Sequence, residues 1–373
     1  FNGDNQDHSV EFLQEDQESI LKDFIALDMP DYYLKWHYRS HHESLITFSN
    51  LNYYGGRMIT FPSNDNNVSK VHVVRTQGIY DRGGSITNPV EGKALADYLA
   101  EKVCGGDTRS YGVVAFNIRQ QHLIEQLIDE RREADPVFAQ GLAAMEEKGE
   151  PLFVRNLESV QGDERDVILF TIGFGPDRDG RIVMSFGPLA KPGGWRRLNV
   201  AITRARDEMI LFTSMDAAQM KVNSSTARGV ADLKSFIAYA EGSSAPYVPQ
   251  DAEEDHVSLP FTASAPDGFR NQICSYLKEL GYQYVTDLGA SSLTIDIAVV
   301  DPDDPERYML GILLGSSTVG GKFTLYDGEV GQPAALKNQG WTLLRLWSPD
   351  WIEDPDREKR RIAGRLKEIC DGR

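Results

Sequence analysis

An α/β fold, a parallel sheet flanked by helices with a second, smaller α/β domain after it, follows from three features of the sequence. Strand-length apolar runs alternate with helix-length amphipathic ones. The strongest runs, 111–116 and 166–172, are apolar enough to be covered on both faces. A stretch without periodicity, 241–265, rich in Ser, Pro, Ala and acid, separates two such regions. The expected organisation is a domain at 1–240, a linker at 241–265 and a domain at 266–373.

Taken in order, residues 1–30 are acidic, with a weakly amphipathic helix at 10–25. The run Leu34-Lys35-Trp36-His37-Tyr38-Arg39 reads as a short strand. Ser40 is placed to cap a helix whose apolar residues Leu45, Ile46, Phe48, Leu51 and Tyr54 have helical spacing. A strand at 71–74 follows, then a helix opened by Pro89 and running through Leu99. Next come the strand at 111–116, a helix at 119–132, and strands at 151–154 and 166–172. The run 195–206 reads as helix-forming, with Arg204 and Arg206 inside it. A strand at 209–213 and a helix at 230–239 complete the domain. The second domain has a helix at 268–280, strands at 293–300, 307–314 and 341–347, and a charged final helix at 355–369. No internal repeat is present.

The composition, 41% hydrophobic and 10% aromatic in 373 residues, is that of a globular protein. The net charge of −17 argues against wholesale coating of a polyanion but leaves room for a local basic channel. No run of about 18 apolar residues exists to span a membrane, and the polar, acidic first residues are not a signal peptide. Cys104, Cys274 and Cys370 lie far apart, with neither metal spacing nor a disulfide framework, which predicts a reducing, cytoplasmic setting.

The chain has no P-loop: Gly92-Lys93 is followed by Ala94 and lacks the spaced glycine. Zinc spacing, a nucleophile elbow and a Cys/His pair are also missing. Polar signals gather at three loops: His37-Tyr38-Arg39-Ser40; Glu158-Ser159-Val160-Gln161-Gly162-Asp163-Glu164; and Trp195 to Arg206, with Arg196, Arg197, Arg204 and Arg206. In sheets of this class, function collects beyond the carboxyl ends of the strands. An arginine at the edge of a core calls for an anion, because its charge cannot be removed and its fork suits carboxylate or phosphate. Taken singly, Arg39 reads equally as a surface ion pair, the Gln-Gly-Asp-Glu run as a turn, and Arg196 and Arg197 as a solvated face.

Tyr38-Arg39-Ser40, Gln161-Gly162-Asp163-Glu164 and Asn199-Val200-Ala201-Ile202-Thr203-Arg204-Ala205-Arg206, in this order, resemble motifs IV, V and VI of superfamily 1 helicases, in the up-frameshift-helicase branch. The resemblance implies the second of two RecA-like motor domains, the first carrying the P-loop and holding most of the ATP and Mg2+. It further implies that the chain starts just after motif III. Arg39 and Arg204 would then contact phosphate as catalytic residues, Glu164 would bind ribose, and Gln161 and Gly162 would link nucleotide to nucleic acid. Single-stranded DNA or RNA and the N-terminal motor domain are the implied partners. Asn117, Gln120 and Ser159 are the candidate nucleic-acid contacts, Asn117 reading equally as a helix cap. Arg204 is preferred to Arg206 as the finger, since residues two apart on a helix face different ways. Arg206 is expected to brace the loop through an acid. Trp195 is either a base-stacking residue or a loop anchor.

The second domain resembles PD-(D/E)xK endonucleases of the very-short-patch-repair type, through Ile295-Asp296-Ile297-Ala298-Val299-Val300-Asp301-Pro302, Tyr308-Met309-Leu310-Gly311-Ile312 and Leu344-Arg345-Leu346-Trp347. Asp296 suits the first metal-binding acid of that family. The second acid is replaced by the run Leu313-Leu314-Gly315-Ser316, and the helix glutamate by Arg270, so a degenerate, inactive module is expected. Asp327 or Glu329 would have to substitute if it were active. The competing expectations are an active helicase–nuclease with a displaced acid, and a noncatalytic interaction protein.

Overall fold

The computed structural model describes residues 20–30, 32–65, 69–242, 267–289, 291, 293–315 and 330–372. The expected helix residues 10–19, the linker at 243–265, and Asp327 and Glu329 lie outside the described residues. The chain divides into two compact units, 1–35 and 36–373. The first contributes α1 (Ile20–Ala26).

The second unit opens with α2 (Ser44–Tyr53), β1 (Val71–Arg75), α3 (Pro89–Cys104) and β2 (Tyr111–Ala115). After these come α4 (Ile118–Ala134), α5 (Pro136–Glu147), β3 (Phe153–Asn156) and β4 (Arg165–Thr171). The first lobe closes with α6 (Gly194–Ile202), β5 (Ala205–Thr213) and α7 (Arg228–Ala240). The five strands form one parallel sheet in the order β1-β5-β4-β2-β3. Their apolar runs are continuous because both faces are covered. Ile168 and Phe170 of β4 and Met209 and Leu211 of β5 enter one core; Leu169, Ile210 and Phe212 enter the other. This is the period of two that a pleated strand imposes. Asp135 ends α4 and also caps α5 by accepting from Val137 and Phe138. The two helices thus meet at one residue, which is why no loop announced α5.

Three local expectations need correction. Residues 34–39 form no strand: Trp36 makes a single bridge to Ile59, because the segment from Ile59 onward turns to the second lobe. Ser40 does not cap α2; that helix starts at Ser44, and the Ser40 hydroxyl donates to the Ala205 carbonyl at 3.2 Å. The helix of the arginine motif ends at Ile202. Thr203 stops it by turning its hydroxyl onto the Asn199 and Val200 carbonyls. Arg204 therefore sits in the turn and Arg206 on β5.

The second lobe contains α8 (Asp267–Glu279), β6 (Tyr284–Leu288), β7 (Ile295–Val300), β8 (Tyr308–Gly315), α9 (Gln332–Asn338), β9 (Leu343–Trp347), α10 (Ser348–Glu353) and α11 (Pro355–Asp371). Its sheet runs β6-β7-β8-β9, antiparallel except for the β8–β9 pair. One of its cores is shared: Ile59 and Phe61 of the first lobe pack with Leu293, Ile295, Tyr308, Leu336 and Trp341.

Gly112 stands in the middle of the first sheet, paired to both β3 and β4. A Cβ there would lie 2.4 Å from the Phe153 ring, so the ring needs the missing side chain. Gly112→Ala should destabilise by about 1–3 kcal/mol through overpacking, read as a lowered urea midpoint; an unchanged midpoint contradicts this packing.

Candidate functional site

The three polar loops come together at the amino ends of β4 and β5. A helix connecting parallel strands runs against them, so α6 delivers its carboxyl end, and with it Thr203 and Arg204, to this edge. The cluster is therefore on the edge opposite to the one expected for a parallel sheet, and the helix polarity explains it. The loop carrying Arg39 is tied down beside β5, its His41 amide donating to the Arg206 carbonyl at 2.7 Å.

Arg39 donates through Nε to Glu164 Oε2 at 2.6 Å and through Nη1 to the Thr203 carbonyl at 3.4 Å. Arg204 folds back on its own helix, with Nε on the Val200 carbonyl at 2.7 Å and Nη2 on the Thr203 hydroxyl at 3.1 Å. Both guanidiniums thus use the carboxyl end of α6, where the helix dipole favours cations. Arg204 has no carboxylate in ion-pair range among the described residues. Burial, and then the neighbouring Arg39 charge, push its pKa down; Glu164 opposes this from nearby. The structure thus brings Arg39, Glu164 and Arg204 together.

Arg206 turns the other way, to Asp166 at 2.9 Å, both Glu150 oxygens at 2.7 Å and the Ser110 hydroxyl at 3.1 Å. It is a brace through acids, as expected, although not for the expected reason, since neither arginine is on a helix. Glu150 carried no sequence signal, since it lies in a loop before β3. Trp195 is an anchor: it stacks on Tyr53 at 5.3 Å and lies under the Arg228 guanidinium at 4.3 Å.

Two histidines border the arginines. His37 is buried against Ser40, and burial, Arg39 and Arg204 lower its pKa to about 4. His41 pairs with Asp207 at 2.5 Å, and that hydrogen bond raises its pKa.

Gln161 and Gly162 are exposed, Gly162 at φ 97, a turn conformation that suits glycine. At the opposite edge, Asn117 and Ser159 lie beyond the carboxyl ends of the paired strands β2 and β3. Asn117 caps α4 by accepting the Gln120 amide at 2.8 Å, while its buried Nδ2 has no partner among the described residues. Ser159 is exposed and bonded to Asn156. Gln120 is not a nucleic-acid contact: it is fully buried, its amide joined to Asn88 at 2.9 and 3.2 Å and to the Thr171 hydroxyl at 3.4 Å. Beside it lies a carboxylate missed in the sequence, Glu91, which accepts from Thr171 and the Gly173 amide at 2.6 Å. Complete burial pushes its pKa up to about 7. Asn88-Pro89-Val90-Glu91, with an N-cap residue and an acid three positions on, was the available signal.

The AAA_12 family, described as AAA domain, matches residues 16–216, more than half of the chain. The chain belongs to the AAA domain family. The AAA domain occupies the lobe that carries the arginine cluster, and a second, endonuclease-like family, REase_MTES_1575, matches residues 269–366 in the other lobe. The chain is 29% identical over 336 residues to the uncharacterized ATP-dependent helicase MG140 homolog of Mycoplasma pneumoniae. It is 29% identical over 346 residues to the uncharacterized ATP-dependent helicase MG140 of Mycoplasma genitalium. Each alignment covers 86% of this chain and 28% of the relative, so the AAA domain protein spans little more than a quarter of their length. The crystal structure of the C-terminal domain of a possible DNA helicase from Lactobacillus plantarum WCFS1 aligns over 52% of this chain and 92% of its own. Its TM-score of 0.29 and 12% identity are too low to bear on the fold.

In the endonuclease-like lobe of the AAA domain protein, Asp296 is largely buried, which raises its pKa, and its Oδ2 accepts the Leu314 amide at 2.8 Å. Arg270 of α8 reaches Asp287 at 2.6 Å and Asp296 at 4.0 Å. A cation thus already sits between the two acids. Among the described residues no three His, Cys, Asp or Glu side chains could hold a metal ion. Among the described residues Asp296 therefore has an arginine, and no cluster of further acids, beside it.

The two histidines give the AAA domain protein opposite pH dependences. His37 stays neutral in the fold while the unfolded chain takes a proton, so stability should fall by up to about 3 kcal/mol as the pH drops from about 6.5 towards 4. The His41–Asp207 pair stabilises fully below about 6.5, and its contribution is lost as the pH rises through the raised value. His37→Asn should flatten the acid-side decline in thermal midpoint; an unchanged slope assigns that decline to other groups.

Proposed function

We propose that this chain supplies the second motor domain of an ATP-dependent superfamily 1 helicase acting on single-stranded DNA or RNA. The supporting observation is Arg204: a half-buried guanidinium, beside Arg39, with no carboxylate partner among the described residues. Such a group is set to receive an anion from outside the domain. In this reading the γ-phosphate of ATP, held with Mg2+ by a separate P-loop domain, takes that position. Negative charge grows on the γ-phosphoryl oxygens in the transition state, and a guanidinium already fixed by the Val200 carbonyl and Thr203 hydroxyl offsets it without reorganising. Arg39 is the second phosphate contact, and Glu164, its present partner, is the ribose acceptor. Asn117 and Ser159 at the opposite edge face the strand, and Gln161 and Gly162 lie on the segment between the two edges. The family match and the helicase relatives support the assignment.

The endonuclease-like lobe does not cut in this reading, because Arg270 stands where a metal would have to lie. Cys104, Cys274 and Cys370 are free thiols, and no helix among the described residues is long and apolar enough to cross a membrane.

Two outcomes follow. In the protein carrying both motor domains, Arg204→Ala should lower the kcat of nucleic-acid-stimulated ATP hydrolysis by about 10³-fold with KM changed little. A loss below tenfold, or one confined to KM, would mean Arg204 is only a helix cap. Incubated with Mg2+ or Mn2+, the chain should leave single- and double-stranded DNA intact; metal-dependent cutting abolished by Asp296→Ala would restore the nuclease.

A further inference from the structure

The loop that carries Arg39 is held from two sides, and only one of them is the motor sheet. On that side the Ser40 hydroxyl and the His41 amide reach the first two positions of β5. On the other side runs the strap 59–65. The His37 amide donates to the Ile59 carbonyl at 2.8 Å, the Ser63 hydroxyl to the His41 carbonyl at 3.0 Å, and the Thr60 hydroxyl to Glu43. The Trp36 ring meets Phe61 edge-on at 5.4 Å.

The strap is in turn built into the endonuclease-like lobe. Ser291 accepts the Thr60 amide at 3.1 Å and donates to the Thr60 carbonyl at 2.8 Å, closing a two-bond ring about one residue. Trp341, buried and stacked on Tyr308 at 5.6 Å, donates its indole N–H to the Pro62 carbonyl at 2.7 Å. The Tyr308 amide donates to the Asn64 carbonyl at 2.9 Å, and Asn64 Nδ2 to the Gly340 carbonyl at 3.1 Å. Ile59 and Phe61 are buried in the core of this lobe. An unbroken run of short contacts therefore joins Ser291 and Trp341 to the backbone two residues before Arg39.

From this we infer that the endonuclease-like lobe is a positioning element of the nucleotide site: through Ser291 and Trp341 it fixes the strap 59–65, and through the strap the placement of Arg39. The inference rests on the proposed role of Arg39 and extends it to a lobe that touches no nucleotide. Ser291 and Trp341 are positioning residues. Their loss leaves Arg39 present but displaced, and displacements of about 1 Å at a reacting group are enough to lower rates strongly.

The test is a double-mutant cycle on nucleic-acid-stimulated ATPase activity, in the protein carrying both motor domains. Ser291→Ala and Trp341→Phe, the latter keeping an aromatic ring but losing the pyrrole ring with its N–H donor, are each made alone and with Arg39→Ala. Thermal midpoints confirm that all variants are folded at the assay temperature. Each lobe variant should lower kcat about tenfold with little change in KM for ATP. In the Arg39→Ala background the same changes should cost less than about twofold, because nothing remains to be positioned. Equal losses in both backgrounds, or unchanged kcat in folded lobe variants, overturn the inference while leaving Arg39 as a phosphate contact. Unchanged kcat in Arg39→Ala itself removes both.

Discussion

Two like charges held side by side at one helix end are the constraint on which this site depends. Burial of Arg204, and then the Arg39 charge beside it, disfavour the Arg204 cation. The fold offsets this with the carboxyl end of α6, which presents the Val200 and Thr203 carbonyls and the negative end of its dipole. Among the described residues one carboxylate, Glu164, contacts the pair, and it contacts Arg39 alone. The next arginine along the chain shows what full neutralisation looks like: Arg206 has both Asp166 and Glu150. The two arginines of one motif thus separate physically into a satisfied brace and an under-compensated cation. An arginine left half-buried without an acid is costly unless an anion arrives.

The same sheet carries polar groups on both edges, and one short segment connects them. Between Asn156 at the end of β3 and Arg165 at the start of β4 lie only residues 157–164, without a helix. Crossovers between parallel strands usually need a dozen residues or more. Here the run is held by Leu157 and Val160, which are buried. Ser159 stands near one end and Glu164 at the other. At the carboxyl edge, Glu91, Gln120, Asn88 and Thr171 form a buried network that ties α3, α4 and β4 and leaves Asn117 with a buried, unmatched donor.

The sheet was legible because burial on both faces leaves a mark no loop can imitate: the runs around Val113, Leu169 and Leu211 are apolar at every position. The arginine motif was legible as chemistry but misread as structure. Residues 195–206 have helical composition throughout, and only the Thr203 hydroxyl, turning back on Asn199 and Val200, ends the helix. Gln120 was misplaced for a related reason. A polar residue after a buried strand is usually exposed, whereas this one completes a buried network through partners 32 and 51 positions away. The strap 59–65 had no periodicity to read, since Thr60, Pro62 and Asn64 bond through their backbone to residues more than 200 positions later.

In the endonuclease-like lobe an arginine stands beside the acid that the resemblance singles out. Asp296 is near enough to Asp287 to feel its charge, and the Arg270 guanidinium offsets it. Arg270 is fixed on α8 and donates to Asp287 at 2.6 Å. It is a permanent charge that needs no metal and cannot be lost to a chelator. At one border of this lobe Ser291 and Trp341 bond to the strap 59–65, which in turn contacts the Arg39 loop.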